Sequence, residues 1–188
     1  MRFANPLLSA PVLAAILCLS LLAVAPRAAA AGPAIGSVPP PALGKDASGK
    51  QVSLTTMRGK VVVVAFWMSS CGYCLREVPA LDNLQKQLAG SGLQAVAVNT
   101  GDGKKDYGEM LRQMRGYSLV LAHDLGGTVV EDWGVRMYPN LWVLDPEGRV
   151  VAHHEGYAED ALPGILAEIR RIVAAHQPAP AEAPAPAS

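Results

Sequence analysis

Apolar positions along the chain fall into two kinds of pattern. The first is an unbroken run, Val61-Val62-Val63-Val64-Ala65-Phe66-Trp67, rich in β-branched residues. Such a run fits a strand buried on both faces, as in a parallel sheet. Leu93 to Val98 repeats that character, and Ser118 to Ala122 is a shorter candidate. The second pattern is helical. Val78, Leu81, Leu84 and Leu88 recur at helical spacing and predict a helix from about Gly72 to Leu88, with Pro79 inside it and Gly90 and Gly92 beyond its end. Tyr107, Met110, Leu111 and Met114 predict a second, closed by Gly116. Thr128 followed by Glu131 reads as a capping box opening a short helix that ends at Gly134. Leu162, Ile165, Leu166, Ile169, Ile172 and Val173 mark an amphipathic closing helix, with Pro163 in its first turn.

Between these lie turns and short strands. Gln51 to Leu54 is a strand candidate. Leu141 to Leu144 and Arg149 to Ala152 flank the turn Asp145-Pro146-Glu147-Gly148 and predict an antiparallel hairpin. The order of elements predicts an α/β fold, a central mixed β-sheet flanked by helices on both faces.

The ends have a different character. Arg2, an apolar stretch from about Pro11 to Ala25 and the small residues Ala28 to Ala31 read as an export signal over residues 1–31. The alternative is a retained membrane anchor, since Leu7 to Ala25 is nearly long enough to span. Cys18 lies in this stretch and follows Leu17, which does not suit a lipoprotein signal. Residues 32–39 read as a Pro- and Gly-rich linker, 40–175 as the folded domain, and 176–188 as a low-complexity Pro/Ala tail. The whole chain of 188 residues has 16 basic and 16 acidic side chains. Loss of residues 1–31 removes two arginines and leaves a formal charge of −2. No basic patch suggests nucleic acid as a partner.

The candidate chemistry sits where the first strand hands over to the first helix. Ser69-Ser70 ends the apolar run, and Cys71-Gly72-Tyr73-Cys74 follows. A helix N-terminus offers unpaired N–H groups and partial positive charge, which favour a thiolate and lower the pKa of Cys71. Cys74, one turn on, is placed to resolve a mixed disulfide formed by Cys71. A structural staple gains little from so small a loop, and a metal site needs more ligands. Export to an oxidising compartment fits disulfide exchange.

Phe66-Trp67 before the motif and Arg76-Glu77-Val78-Pro79 after it resemble the thioredoxin superfamily, in particular the TlpA/ResA-like branch of exported thiol–disulfide oxidoreductases. The resemblance runs from about Pro40 to about Ala175 and implies a thioredoxin-like fold with an N-terminal hairpin. Three positions depart from the branch: Ser70 replaces its usual Trp, Gly72-Tyr73 lacks its proline, and Asn140 replaces a common Thr. The Cys-Gly-Tyr-Cys motif also occurs in some periplasmic disulfide isomerases, so the direction of electron flow stays open. The resemblance implies that Pro139 is a cis-proline facing the cysteines and that the backbone of Tyr138 pairs with an extended client. It implies that Glu77 exchanges a proton with Cys74; the plainer reading is a surface acid at a helix N-terminus. Trp67 flanks the motif or belongs to the core, and Tyr73 and Gly72 face the partner.

The implied activity is that of a periplasmic reductant of client disulfides, recharged by a membrane thiol donor, with apocytochrome cysteines as one client class. It needs no cofactor beyond the Cys71/Cys74 pair, and no metal. Two alternatives use the same cysteines. A thiol peroxidase needs a Thr where Met68 stands. A copper handler would exploit soft thiolates, but its known relatives have wider cysteine spacing and a matching histidine. His123, His153, His154 and His176 are scattered; the adjacent His153 and His154 are expected on opposite faces of a strand, as polar surface rather than ligands. Asp145 reads as a turn former.

Overall fold

The computed structural model describes residues 32–177; the expected export signal and the tail from residue 178 lie outside them. The strands are β1 (Ala42–Lys45), β2 (Gln51–Ser53), β3 (Val61–Trp67), β4 (Leu93–Thr100), β5 (Val120–Asp124), β6 (Asn140–Leu144) and β7 (Val150–Glu155). The α-helices are α1 (Cys74–Gln87), α2 (Lys104–Gln113), α3 (Thr128–Asp132) and α4 (Leu162–Ala175). The strands form one mixed sheet in the order β2-β1-β5-β4-β3-β6-β7.

β3 is the axis of that sheet. It pairs parallel with β4 and antiparallel with β6, and all seven of its residues are buried. Its side chains divide by period two. Val61, Val63, Ala65 and Trp67 join one core with α1, α2 and α4. Val62, Val64 and Phe66 join the other with α3, the 3₁₀ turn at Leu54–Met57 and the β1–β2 hairpin. Burial on both faces is why its sequence carries no alternation. Both crossovers from β3 to β4 and from β4 to β5 place their helices on the first face, whereas α3 leads across the other face to β6. The chain therefore leaves the carboxyl ends of β3 and β4 and returns at β6 on β3's other side. Such a switch point opens a crevice at the strand ends, where α/β proteins place their chemistry.

The second core contains an aromatic ladder. Phe66 meets Trp133 at 5.4 Å between ring centroids, Trp133 meets Trp142 edge-on at 5.6 Å, and Trp142 stacks on His153 at 3.5 Å. His154 points to the opposite face and meets Glu168 of α4 at 2.8 Å. The two adjacent histidines are thus split between the faces, as strand alternation requires.

Several expected boundaries move. β5 begins at Val120, not Ser118, because Ser118 is an anchoring point: its N–H and hydroxyl, with the N–H of Leu119, donate to Asp82 on α1. β7 extends to Glu155 through its pairing with β6. The expected capping box at Thr128 does not form. Thr128 is already helical, Gly127 precedes it with φ 72°, and Asp124 at the end of β5 accepts the N–H of Val130 instead. Pro163 does sit in the first turn of α4, and Asp145 does close the β6–β7 turn, accepting the N–H of Arg149 at 2.7 Å. Gly36 and Ser37 are hydrogen-bonded to Val150 at the β7 edge, so this part of the Pro/Gly-rich segment is seated on the sheet.

Gly44 shows how tightly the β1–β5 seam is closed. Its φ is +88°, and a Cβ there would lie 2.5 Å from the carbonyl oxygen of His123. Gly44→Ala combines a left-handed backbone with a clash against backbone, so we expect a loss of at least ~1 kcal/mol of stability. Urea denaturation of the two proteins measures it; equal midpoints would show that the seam yields freely.

Candidate functional site

The site is built at the carboxyl end of β3. The register pairs Phe66 with Asn140, so Pro139, just before β6, lies at the level where β3 ends and the Cys71 turn begins. Tyr138–Pro139 is the cis peptide bond of the described residues. The cysteines and the cis-proline therefore meet at one end of the sheet because two neighbouring antiparallel strands start and stop there.

Cys71 and Cys74 form a disulfide, with Cα atoms 5.2 Å apart. The two sulfurs have different surroundings. Cys74 is fully buried, while Cys71 is half-buried between the exposed Ser70 and Gly72. The carbonyl of Cys71 accepts the N–H of Leu75, so helical bonding begins at Cys71 itself. Its Sγ accepts the N–H of Cys74 at 3.2 Å. This is the geometry of an N-cap, with sulfur in place of the usual oxygen. One N–H of the helix end is aimed at the sulfur that is freed on reduction, and the helix dipole points the same way.

The turn before Cys71 is held from β4. Asp102 accepts the N–H of Ser69 at 2.9 Å, its hydroxyl at 2.8 Å and the side-chain amide of Asn99 at 2.6 Å. The backbone carbonyl of Asp102 in turn meets Nε2 of His123 at 2.9 Å. Sequence reasoning did not single out Asp102. Its signal was present: an acid between two glycines directly after a buried strand, Thr100-Gly101-Asp102-Gly103.

Tyr138 lies across the strand ends, its hydroxyl 2.8 Å from that of Thr100 at the end of β4. Among the described residues neither its backbone N–H nor its C=O is taken by another backbone group, whereas the carbonyl of Pro139 accepts the N–H of Gly156. Tyr73, between the cysteines, and Met137, two residues before Pro139, are exposed, as is Leu75 to a lesser degree. The guanidinium of Arg76 lies 5.1 Å from the centre of the Tyr73 ring. Trp67 is fully buried, so of its two readings the core one describes its place, and it offers no surface to a partner.

Glu77 is fully buried on α1, in the turn after Cys74. The reading as a surface acid is therefore excluded. Tyr157 donates its hydroxyl to Oε1, and Oε2 has no partner. Burial pushes the carboxyl up from 4.5 to about 8. Tyr157 is the second residue that sequence reasoning missed. It stands 80 positions from its partner, on the loop after β7. Among the described residues no group of three or more His, Cys, Asp or Glu side chains is arranged to hold a metal ion.

A mixed sheet with a cysteine pair at the N-terminus of the helix that follows its central strand, opposite a cis-proline, defines a thioredoxin-fold protein with a redox-active disulfide. The chain belongs to the AhpC/TSA family, which it matches over residues 35–153. Among curated proteins it is similar to the thiol-disulfide oxidoreductase ResA of Bacillus subtilis, at 30% identity over 116 residues, 62% of this chain and 64% of that one. It is also similar to the thioredoxin-like protein YneN of the same organism, at 33% identity over 60% of this chain and 66% of that one. The match thus spans a little under two thirds of these relatives' length. Among solved structures, one from Chlorobium tepidum assigned as the thiol:disulfide interchange protein DsbE superposes with a TM-score of 0.69 at 27% identity, covering 76% of this chain and 99% of that one. The thioredoxin domain of a Bacteroides vulgatus thiol-disulfide oxidoreductase follows at 0.61 and 28%, covering 72% of this chain and 96% of that one.

The raised pKa of Glu77 makes a prediction about stability. Between about 4.5 and about 8 the folded protein holds a proton that the unfolded chain has released. Stability should therefore fall as pH rises through that window, approaching ~1.4 kcal/mol per pH unit in its middle from this group. Glu77→Gln removes the group, and with it this part of the slope. Thermal unfolding of both disulfide forms across the window measures the difference, and parallel curves would remove the buried acid from the account.

Proposed function

We propose that this protein is an exported thiol–disulfide oxidoreductase that reduces disulfides in client proteins. The observation that carries the reading is the asymmetry of the sulfurs: Cys71 accessible and capped by a helix N–H, Cys74 buried one turn behind. In the dithiol form the Cys71 thiolate attacks one sulfur of a client disulfide. The other client sulfur leaves as a thiolate and takes a proton from solvent. Cys74 then gives its proton to Glu77, which ionises as pH approaches about 8, and attacks Cys71. That expels the second client sulfur and leaves the Cys71–Cys74 disulfide. Two electrons pass to the client, and a membrane dithiol donor returns them.

The free backbone groups of Tyr138 give an extended client an edge to pair with, and Gly72, Tyr73 and Met137 give it apolar contact. The names of the relatives, thiol-disulfide oxidoreductase and thiol:disulfide interchange protein, favour this class of reaction. Periplasmic location rests on the signal-like residues 1–31 and on the oxidising chemistry. The domain is then either released by cleavage or held by that segment; among the described residues no helix is long and apolar enough to cross a membrane. Apocytochrome cysteines are the client class that the resemblance suggests.

Two cysteine variants test the proposal. With a dithiol donor present, the wild-type protein should catalyse insulin reduction, and Cys71→Ser should abolish it. Cys74→Ser should instead accumulate a covalent mixed disulfide with the client, visible by non-reducing electrophoresis and mass spectrometry. Trapping of the client by Cys71→Ser but not by Cys74→Ser would reverse the roles. Absence of exchange in the wild type would end the proposal.

A further inference from the structure

Glu77 has two carboxyl oxygens in unequal surroundings, and Tyr157 makes the difference. Oε1 accepts the Tyr157 hydroxyl, while Oε2 is buried with no partner. Tyr157 is itself held in place. Gly156, directly before it, donates its N–H to the carbonyl of the cis-proline at 2.9 Å. A Cβ at Gly156 would stand 3.4 Å from the sulfur of Met137. The loop is thus closed down on the segment that carries Tyr138 and Pro139. The Tyr157 and His154 rings stand T-shaped at 6.5 Å between centroids, and His154 is paired with Glu168 of α4.

We propose that Tyr157 is a positioning residue for the thiol chemistry: its hydroxyl fixes one oxygen of Glu77, so that the other is the atom that exchanges a proton with Cys74. This rests on the reading of Glu77 as proton acceptor. A donated hydrogen bond favours the ionised carboxyl and so works against its burial. Without it the carboxylate forms only at higher pH and is free to turn away from Cys74. The ionisable groups facing this cluster are Cys74 and Glu77 from α1, His154 and Tyr157 from β7 and its following loop, and Glu168 from α4. His154 is paired with Glu168, and the hydroxyl of Tyr157 is the donor that reaches the Glu77 carboxyl.

Tyr157→Phe keeps the ring and removes the hydroxyl. The readout is the pH dependence of the resolving step, followed as release of a small aromatic thiol from a preformed mixed disulfide at Cys71. Tyr157→Phe should move the midpoint of that profile upward by about one pH unit, and should add nothing in the Glu77→Gln background. Redox-difference infrared spectra give a second readout: the carboxyl band assigned through Glu77→Gln should rise in frequency when the donor is lost. If Glu77→Gln moves the profile but Tyr157→Phe leaves both profile and band unchanged, the positioning role is overturned and the proton acceptor stands. If neither variant moves the profile, both fail. Should Tyr157→Phe not fold, fluorotyrosine placed at position 157 supplies a more acidic phenol. The midpoint should then move downward, and an unmoved midpoint overturns the role.

Discussion

The N–H of Cys74 directed at the sulfur of Cys71 is the contact on which the site depends, and the sheet exists in the form that makes it possible. A sulfur at this position needs helical bonding to begin at Cys71, soon after the strand's end at Trp67. β3 meets that need by being buried on both faces, so its end cannot drift relative to the cores on either side. The turn between strand and helix has a backbone hydrogen bond of its own, from the N–H of Cys71 to the carbonyl of Met68, and is held from outside as well. It is tied to β4 through Asp102, and Asp102 to β5 through His123. Three adjacent strands thus share the work of fixing one sulfur. The tight Gly44 contact against His123 extends the same brace to the β1–β2 hairpin.

Behind that sulfur the environment changes within one helical turn. Cys71 meets solvent, Cys74 meets the core, and Glu77, equally buried, has one oxygen unsatisfied. A carboxyl in such a place costs stability whenever it ionises, and an apolar residue of similar size would pack there without that cost. The cost is consistent with a group kept for its proton rather than for packing. Its pKa of about 8 is close to the ordinary value of a thiol, so a proton can pass between the two in either direction without a large energy gap.

How much of this was legible in the sequence depended on the range of each interaction. β3 could be read because four consecutive valines have few other uses, and α1 and α4 because their apolar positions keep helical period over several turns. The cysteine pair could be read because its partners are local. Glu77 was half legible: its spacing from Cys74 is local, but its burial is set by α4 and the loop after β7. Tyr157 was not legible, since it acts on a group 80 positions away; Asp102 was legible only in its local setting between two glycines, because the turn it holds lies 33 positions away. The capping box failed for a related reason. Thr128 and Glu131 have the right spacing, but Asp124 reaches the helix end from β5, and Gly127 turns the chain so that the threonine enters the helix. The cis-proline came from resemblance alone, because no local pattern distinguishes it from the other prolines of the chain.

The cis-proline loop joins the two halves of the site. Its outward side leaves the backbone of Tyr138 available, while its inward side, through the carbonyl of Pro139, takes the N–H of Gly156. The same short segment therefore faces the place where a client would lie and holds the loop whose next residue contacts Glu77. On the proposed reading, a client paired with Tyr138 would bear on a structure already connected to the buried carboxyl. Cys71 and Glu77 belong to one helix at different depths, and the cis-proline segment reaches that helix through the loop that carries Tyr157.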